Sequence, residues 1–170
     1  MIDTLTRINQ TERAEAESMF LDCCGSIRWA SRMTASRPFA SDTEVMETAA
    51  AIWNDLETAD WLEAFSAHPM IGESKAAPAQ QAQSAKWSSG EQAGMNSADD
   101  TVRQDLWATN REYYDKFGFI YIVCATGKSA GEMLDLCRTR LANDCETEIM
   151  NAAREQQKIT EIRLRKLLSQ

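Results

Sequence analysis

One β-type run in an otherwise helix-prone chain sets the strongest constraint on the fold. The run is FIYIVCATG, Phe119–Gly127. Strands are stabilised by pairing, and a lone strand has no sheet to join. Elsewhere glycine and proline are scarce, seven and three in 170 residues, and apolar residues recur at helical spacing. The expected fold is all-α, a single domain over residues 1–170, with one short buried extended segment at about 118–125. The N–H and C=O groups of that segment need partners other than a sheet, and a ligand is one candidate.

Capping residues divide the chain further. Thr11 is placed to cap a helix running through Phe20 and Cys23 to Gly25. A second apolar stretch, SIRWASRM, stops before Pro38. Ser41 or Asp42 opens TEVMETAAAIWNDL. Thr58 opens a short helix whose apolar face is Trp61, Leu62 and Phe65. His68 continues that face, and Pro69 biases it out of the α region, which ends the helix. Ser97 or Asp99 starts a long helix to Phe117 with Val102, Leu106, Trp107, Tyr113 and Tyr114 inward, and Gly118 stops it. Ser129 and Glu132 form a capping-box pattern. Asp144 starts a final helix ending near Leu168. Residues 73–98, polar and rich in Ala, Gln, Ser and Gly, read as poorly structured: a plain connector or a functional segment.

A net charge of −8 argues against a nucleic-acid or anionic-membrane binder, which needs a basic face. No apolar run reaches the roughly 20 residues of a membrane span. The N-terminus lacks a signal-peptide core, and the C-terminal RLRKLLSQ carries no Ser-Lys-Leu address. These readings point to the cytoplasm. The five cysteines are scattered, with no C-x-x-C spacing, as reduced and mostly buried thiols would be. With one histidine in the chain, neither a zinc site nor a cysteine nucleophile at Cys124 is expected.

His68 is that one histidine, in FSAHPMIGE. Two readings of it stand. It caps backbone carbonyls at a helix end, or it is an acid–base group whose tautomer is fixed by a partner, typically a carboxylate. Glu91 is the best candidate partner, because WSSGEQAG concentrates Ser88, Glu91 and Gln92 within one polar stretch. In the last helix, Ile149, Ala152, Ala153, Gln156, Thr160, Arg163, Leu164 and Leu167 fall on one face, with Lys158 and Arg165 opposite. An inward Arg163 pairs with a structural carboxylate, snorkels to an edge, or binds an anion.

Four blocks then occur in order: HPMIGE (His68–Glu73), WSSGEQAG (Trp87–Gly94), KFGFIYIVCATGKS (Lys116–Ser129) and KITEIRLRKL (Lys158–Leu167). Together they resemble the 2-oxo-4-hydroxy-4-carboxy-5-ureidoimidazoline (OHCU) decarboxylase family of the urate-to-allantoin pathway, over nearly the whole chain. Three departures stand out: Ile120 where many members have proline, Met70 where Arg or Asp is common, and Ile162 in place of a leucine before Arg163. The resemblance implies an all-α homodimer without cofactor or metal that converts OHCU to (S)-allantoin. It implies His68 and Glu91 as the catalytic acid–base pair. It further implies Pro69, Ser88, Gln92, Arg163 and the backbone around Phe119, Tyr121 and Val123 as substrate-binding groups. The peroxisomal tail of animal members is lacking, so a bacterial cytoplasmic enzyme is expected. Two other functions fit the same residues. One is an acid–base enzyme acting on a related ureido or imidazole compound. The other is a helical binding module holding the hydroxyisourate hydrolase that makes the substrate, with His68 structural.

Overall fold

The computed structural model describes residues 3–71 and 81–170. Among these residues it contains nine α-helices, one 3-10 turn and no strand, as expected of an all-α chain. The helices are α1 (Thr4–Gln10), α2 (Arg13–Cys23), α3 (Ile27–Ala35), α4 (Asp42–Asn54), α5 (Thr58–Ser66), α6 (Ala82–Glu91), α7 (Asp100–Phe117), α8 (Ala130–Arg140) and α9 (Cys145–Leu168); the 3-10 turn is Ala93–Ser97. The chain divides into two compact units, one of residues 1–64 with 157–170, the other of residues 65–156.

The first unit holds α1 to α4, most of α5 and the end of α9. Its core is aromatic. Phe20 meets Trp29 and Phe39 edge-on, with centroids 6.1 and 6.3 Å apart. The Trp29 indole N–H donates to the Ala49 carbonyl at 3.1 Å, so the buried ring leaves no polar atom stranded. Ser26 and Ser41 cap α3 and α4 as side-chain acceptors. Thr11 does not start α2: it is the C-cap of α1, and the N-cap of α2 is Glu12, which makes no side-chain cap bond. Pattern reading overlooked α1, whose seven residues bury only Ile8 and so carry little periodic signal.

The second unit holds α6, the 3-10 turn, α7, α8 and the first half of α9. Asp99 caps α7, and Gly118 ends it in the left-handed region at φ 78°, where a Cβ would be strained. The inward face of α7 is Leu106, Thr109, Asn110, Tyr113 and Phe117. Trp107 and Tyr114, expected inside, are 53% and 47% exposed. Each lies about 100° around the helix from the buried residue before it, Leu106 and Tyr113, and falls on the outer side of the stripe. Leu62 of α5 is likewise exposed, with Ala64 and Phe65 taking the inward places. The Ser129–Glu132 capping box opens α8, and Asp144 accepts from the Thr147 amide at 2.7 Å at the start of α9.

The expected buried segment follows Gly118: Phe119 and Tyr121–Ala125 are buried and belong to no helix. Most of the stretch read as poorly structured is helical, since α6 and the 3-10 turn cover 82–91 and 93–97. Its large side chains, Trp87 and Met95, are buried. Residues 73–80 of that stretch lie outside the described residues.

Candidate active site

The second unit gathers most of the residues singled out in the sequence. Its organising element is the irregular segment 119–125, which is held by side chains instead of a sheet. The Arg140 guanidinium donates to the Ile122 carbonyl at 2.7 Å, and Lys128 Nζ to the Cys124 carbonyl at 2.8 Å. Protein side chains thus fill the partner role for two of these carbonyls. Tyr121 turns its ring under the Arg140 guanidinium, 4.9 Å from the centroid, and its hydroxyl donates to the Met133 carbonyl at 3.1 Å.

Arg140 is itself fixed by Glu148. Nε and Nη2 of Arg140 both reach Glu148 Oε2, at 2.9 and 2.8 Å. The Tyr113 hydroxyl donates to the same oxygen, and Asn143 and Asn151 donate to Oε1 at 2.9 and 3.0 Å. Burial pushes the Glu148 carboxyl up, but these hydrogen bonds outweigh it and hold the pKa below its ordinary value. Burial also pushes the Tyr113 phenol strongly upward, and Glu148 adds to that. Sequence reading missed this network, because Tyr113, Arg140 and Glu148 sit on three helices with no shared spacing.

His68 sits two residues past the end of α5, half-buried, with its N–H donating to the Phe65 carbonyl at 3.1 Å. The Phe65 ring packs against Phe119 at 5.6 Å, which joins this corner to the irregular segment. The His68 ring is hydrogen-bonded through Nε2 to Gln156 Oε1 of α9 at 2.6 Å. Pro69 follows, half-buried.

Ser88, Glu91 and Gln92 lie at the end of α6. Ser88 is buried, and its carbonyl accepts the Gln92 N–H at 3.1 Å; Glu91 and Gln92 are half-buried. Gly94 sets where this helix end docks. A Cβ there would lie 2.4 Å from the Lys128 carbonyl oxygen, a backbone atom that cannot swing aside. Only glycine lets the 3-10 turn reach the 125–129 loop this closely. Burial, chiefly, raises the Cys124 thiol above its ordinary pKa, Lys128 opposes this, and the Glu155 and Glu91 charges raise it further. That shift runs opposite to the one that activates a thiolate.

Arg163 belongs to the first unit. It is 2% exposed on the inward stripe of α9, as its helical position predicts, and Nη1 donates to the Asp22 carbonyl at 3.4 Å. In the same unit burial pushes the Cys24 thiol up to about 11, with the Arg163 charge pulling the other way. Among the described residues, no group of three or more His, Cys, Asp or Glu side chains is arranged to hold a metal ion. No helix among them is long and apolar enough to cross a membrane.

Comparison with known proteins follows the same residues. The sequence model of the OHCU decarboxylase family matches residues 9–165. The uric acid degradation bifunctional protein TTL of Arabidopsis thaliana is 42% identical over 149 residues, covering 86% of this chain and 45% of the relative. The 2-oxo-4-hydroxy-4-carboxy-5-ureidoimidazoline decarboxylase of Halalkalicoccus jeotgali is 25% identical over 169 residues, 96% of this chain and 91% of that protein. The chain thus spans less than half the length of the plant bifunctional relative. The crystal structure of an OHCU decarboxylase in the presence of (S)-allantoin has a TM-score of 0.78 to this chain at 37% identity, covering 94% of this chain and all of that one. By its helical fold, its four sequence blocks and these matches, the chain belongs to the OHCU decarboxylase family.

Proposed function

We propose that this protein decarboxylates OHCU to (S)-allantoin, with His68 and Glu91 as the acid–base pair. The observation that carries the reading is the chain's one imidazole, half-buried and hydrogen-bonded at 2.6 Å in the unit that also carries Ser88, Glu91 and Gln92. Family membership supplies the substrate.

The chemistry suits these groups. The OHCU carboxylate sits on a carbon beside a C=N bond. When the bond to the carboxylate breaks and CO2 leaves, its electron pair forms a C=C bond and the imine pair moves to nitrogen, which takes up a proton. The substrate is its own electron sink, so the reaction as written calls on no cofactor. His68 then takes the hydroxyl proton and returns a proton to the neighbouring ring carbon on one face, which sets the S configuration. General acid–base help of this kind contributes roughly 10² to 10⁴ in rate. Ser88, Gln92, Pro69 and the backbone around Phe119, Tyr121 and Val123 are assigned to holding the ring and ureido groups. Arg163 is assigned to an anionic group on its match to the family's C-terminal arginine. Uniform binding of the carboxylate would lower KM without raising kcat, so Arg163 contributes to turnover only through contacts that tighten at the transition state.

We also propose one functional domain over residues 1–170, a homodimer and a bacterial cytoplasmic setting. The family match as one span supports the first, and the exposed Trp107 and Tyr114 on α7 support a covered face. Sedimentation equilibrium tests the dimer. For the activity, freshly prepared OHCU is supplied and the circular dichroism of (S)-allantoin is followed. His68→Asn is expected to abolish the stereospecific signal while its far-UV spectrum stays helical. Wild-type rates in that variant would refute the proposal.

A further inference from the structure

The His68–Gln156 hydrogen bond says which ring nitrogen works. Gln156 is 0% exposed on the inward face of α9, between the small Ala152/Ala153 pair and Thr160. A buried side-chain amide is retained only where its polar atoms are satisfied. Its carbonyl oxygen lies 2.6 Å from His68 Nε2. A carbonyl oxygen accepts and cannot donate, so Nε2 carries the proton. In the neutral imidazole the lone pair then resides on Nδ1.

We propose that Gln156 is a positioning residue that fixes His68 as the Nε2–H tautomer, so that Nδ1 takes and returns the reaction's proton. This rests on the acid–base role proposed for His68 above. It also divides the labour expected from the sequence, where one carboxylate was to orient the histidine. Gln156 orients the ring, and Glu91 keeps the acid–base role proposed above. The choice of a neutral amide has a physical reason. A carboxylate at Nε2 would stabilise the imidazolium, whereas an amide accepts the Nε2–H bond without adding a charge beside the ring.

A single histidine makes the test unambiguous, because a protein labelled with 15N-histidine gives one pair of imidazole signals. Wild type, Gln156→Leu and Gln156→Glu are compared at a pH where the ring is neutral. The expected wild-type pattern is Nε2–H. Gln156→Leu is expected to show tautomer averaging, and Gln156→Glu, which keeps an acceptor, to restore one tautomer. In the OHCU assay Gln156→Leu should lose kcat on the order of tenfold, the worth of one net hydrogen bond, with KM changed less than about threefold. An Nδ1–H pattern in wild type overturns the proposal, as does wild-type kcat in a folded Gln156→Leu protein. If Gln156→Leu does not fold, the wild-type and Gln156→Glu spectra still decide. If wild type shows the Nε2–H pattern but no decarboxylation, the proposed function fails and the Gln156 tautomer assignment stands. If His68→Asn is inactive while folded Gln156→Leu is unimpaired, the function stands and the positioning role fails.

Discussion

Replacing Arg140 with methionine removes the cation that both neutralises Glu148 and holds the Ile122 carbonyl. The wild-type guanidinium makes two contacts to Glu148 Oε2, at 2.8 and 2.9 Å, and one to Ile122 at 2.7 Å. Methionine keeps most of the volume and none of the donors. Glu148 is 0% exposed and retains only Tyr113, Asn143 and Asn151 as donors. Breaking a buried pair by removing one partner costs roughly 3–5 kcal/mol, because the remaining charge is uncompensated. For a chain of this size that lowers Tm by roughly 6–20 °C. The pH dependence has a definite sign. In wild type the Glu148 pKa is depressed below the ordinary 4.5 of a glutamate, so its contribution is fully present above that value and is lost as pH falls through the lower folded one. In the variant, burial remains and the strongest donors are gone, so the folded pKa rises above the unfolded one. The variant then recovers part of its deficit as acid protonates Glu148. Urea unfolding followed by circular dichroism at about pH 8 and about pH 6 should show the gap to wild type narrowing at the lower pH. Adding Glu148→Leu should recover much of the loss, since an apolar replacement of the whole pair is often neutral. A single-variant loss under about 1 kcal/mol, or one equal at both pH values, would refute the reasoning that Arg140 compensates a buried charge.

Glu91→Ala should cut kcat by roughly 10²-fold or more while changing KM little; a loss confined to KM would count against an acid–base role. Gly94→Ala should destabilise the protein by about 1–3 kcal/mol through the backbone clash with Lys128. Gly90→Ala, four residues earlier in α6 with open space around its Cβ position, should instead stabilise by about 0.5–1 kcal/mol; thermal melts of the two variants should move in opposite directions. A thiol reagent should label one cysteine quickly in the native protein, the exposed Cys145, and all five after unfolding. Cys23, Cys24, Cys124 and Cys137 are buried, with burial pushing Cys24 up to about 11 and Cys137 up to about 12. A second fast thiol in the native state would show that one of these four sites opens readily.

Much of the helical frame was legible locally. Ser41, Asp99, Ser129 and Asp144 announce helix starts through a side-chain oxygen positioned two or three residues before an orphan N–H, a relation contained within one turn. Gly118 announces a stop because a left-handed residue favours glycine. The stripe of α9 placed Gln156 and Arg163 inward from periodicity alone. Periodicity failed where the chemistry was ambiguous: for Trp107 and Tyr114, each beside another candidate for the same face, and for α6, whose alanines, serines and lone glutamine carry almost no apolar pattern.

By itself, then, the sequence determined an all-α frame, the irregular character of the segment after Gly118, and His68 with the Ser88–Glu91–Gln92 block as the polar groups worth watching. Each depends on residue type and short-range spacing, which the chain carries wherever it folds. Which group holds which emerged when the helices packed. Arg140 supplies the Ile122 carbonyl, Glu148 supplies Arg140, and Gln156 meets His68 from 88 positions away in sequence. No local pattern encodes such pairings, because a hydrogen bond between distant residues exists only after the helices that carry them have packed.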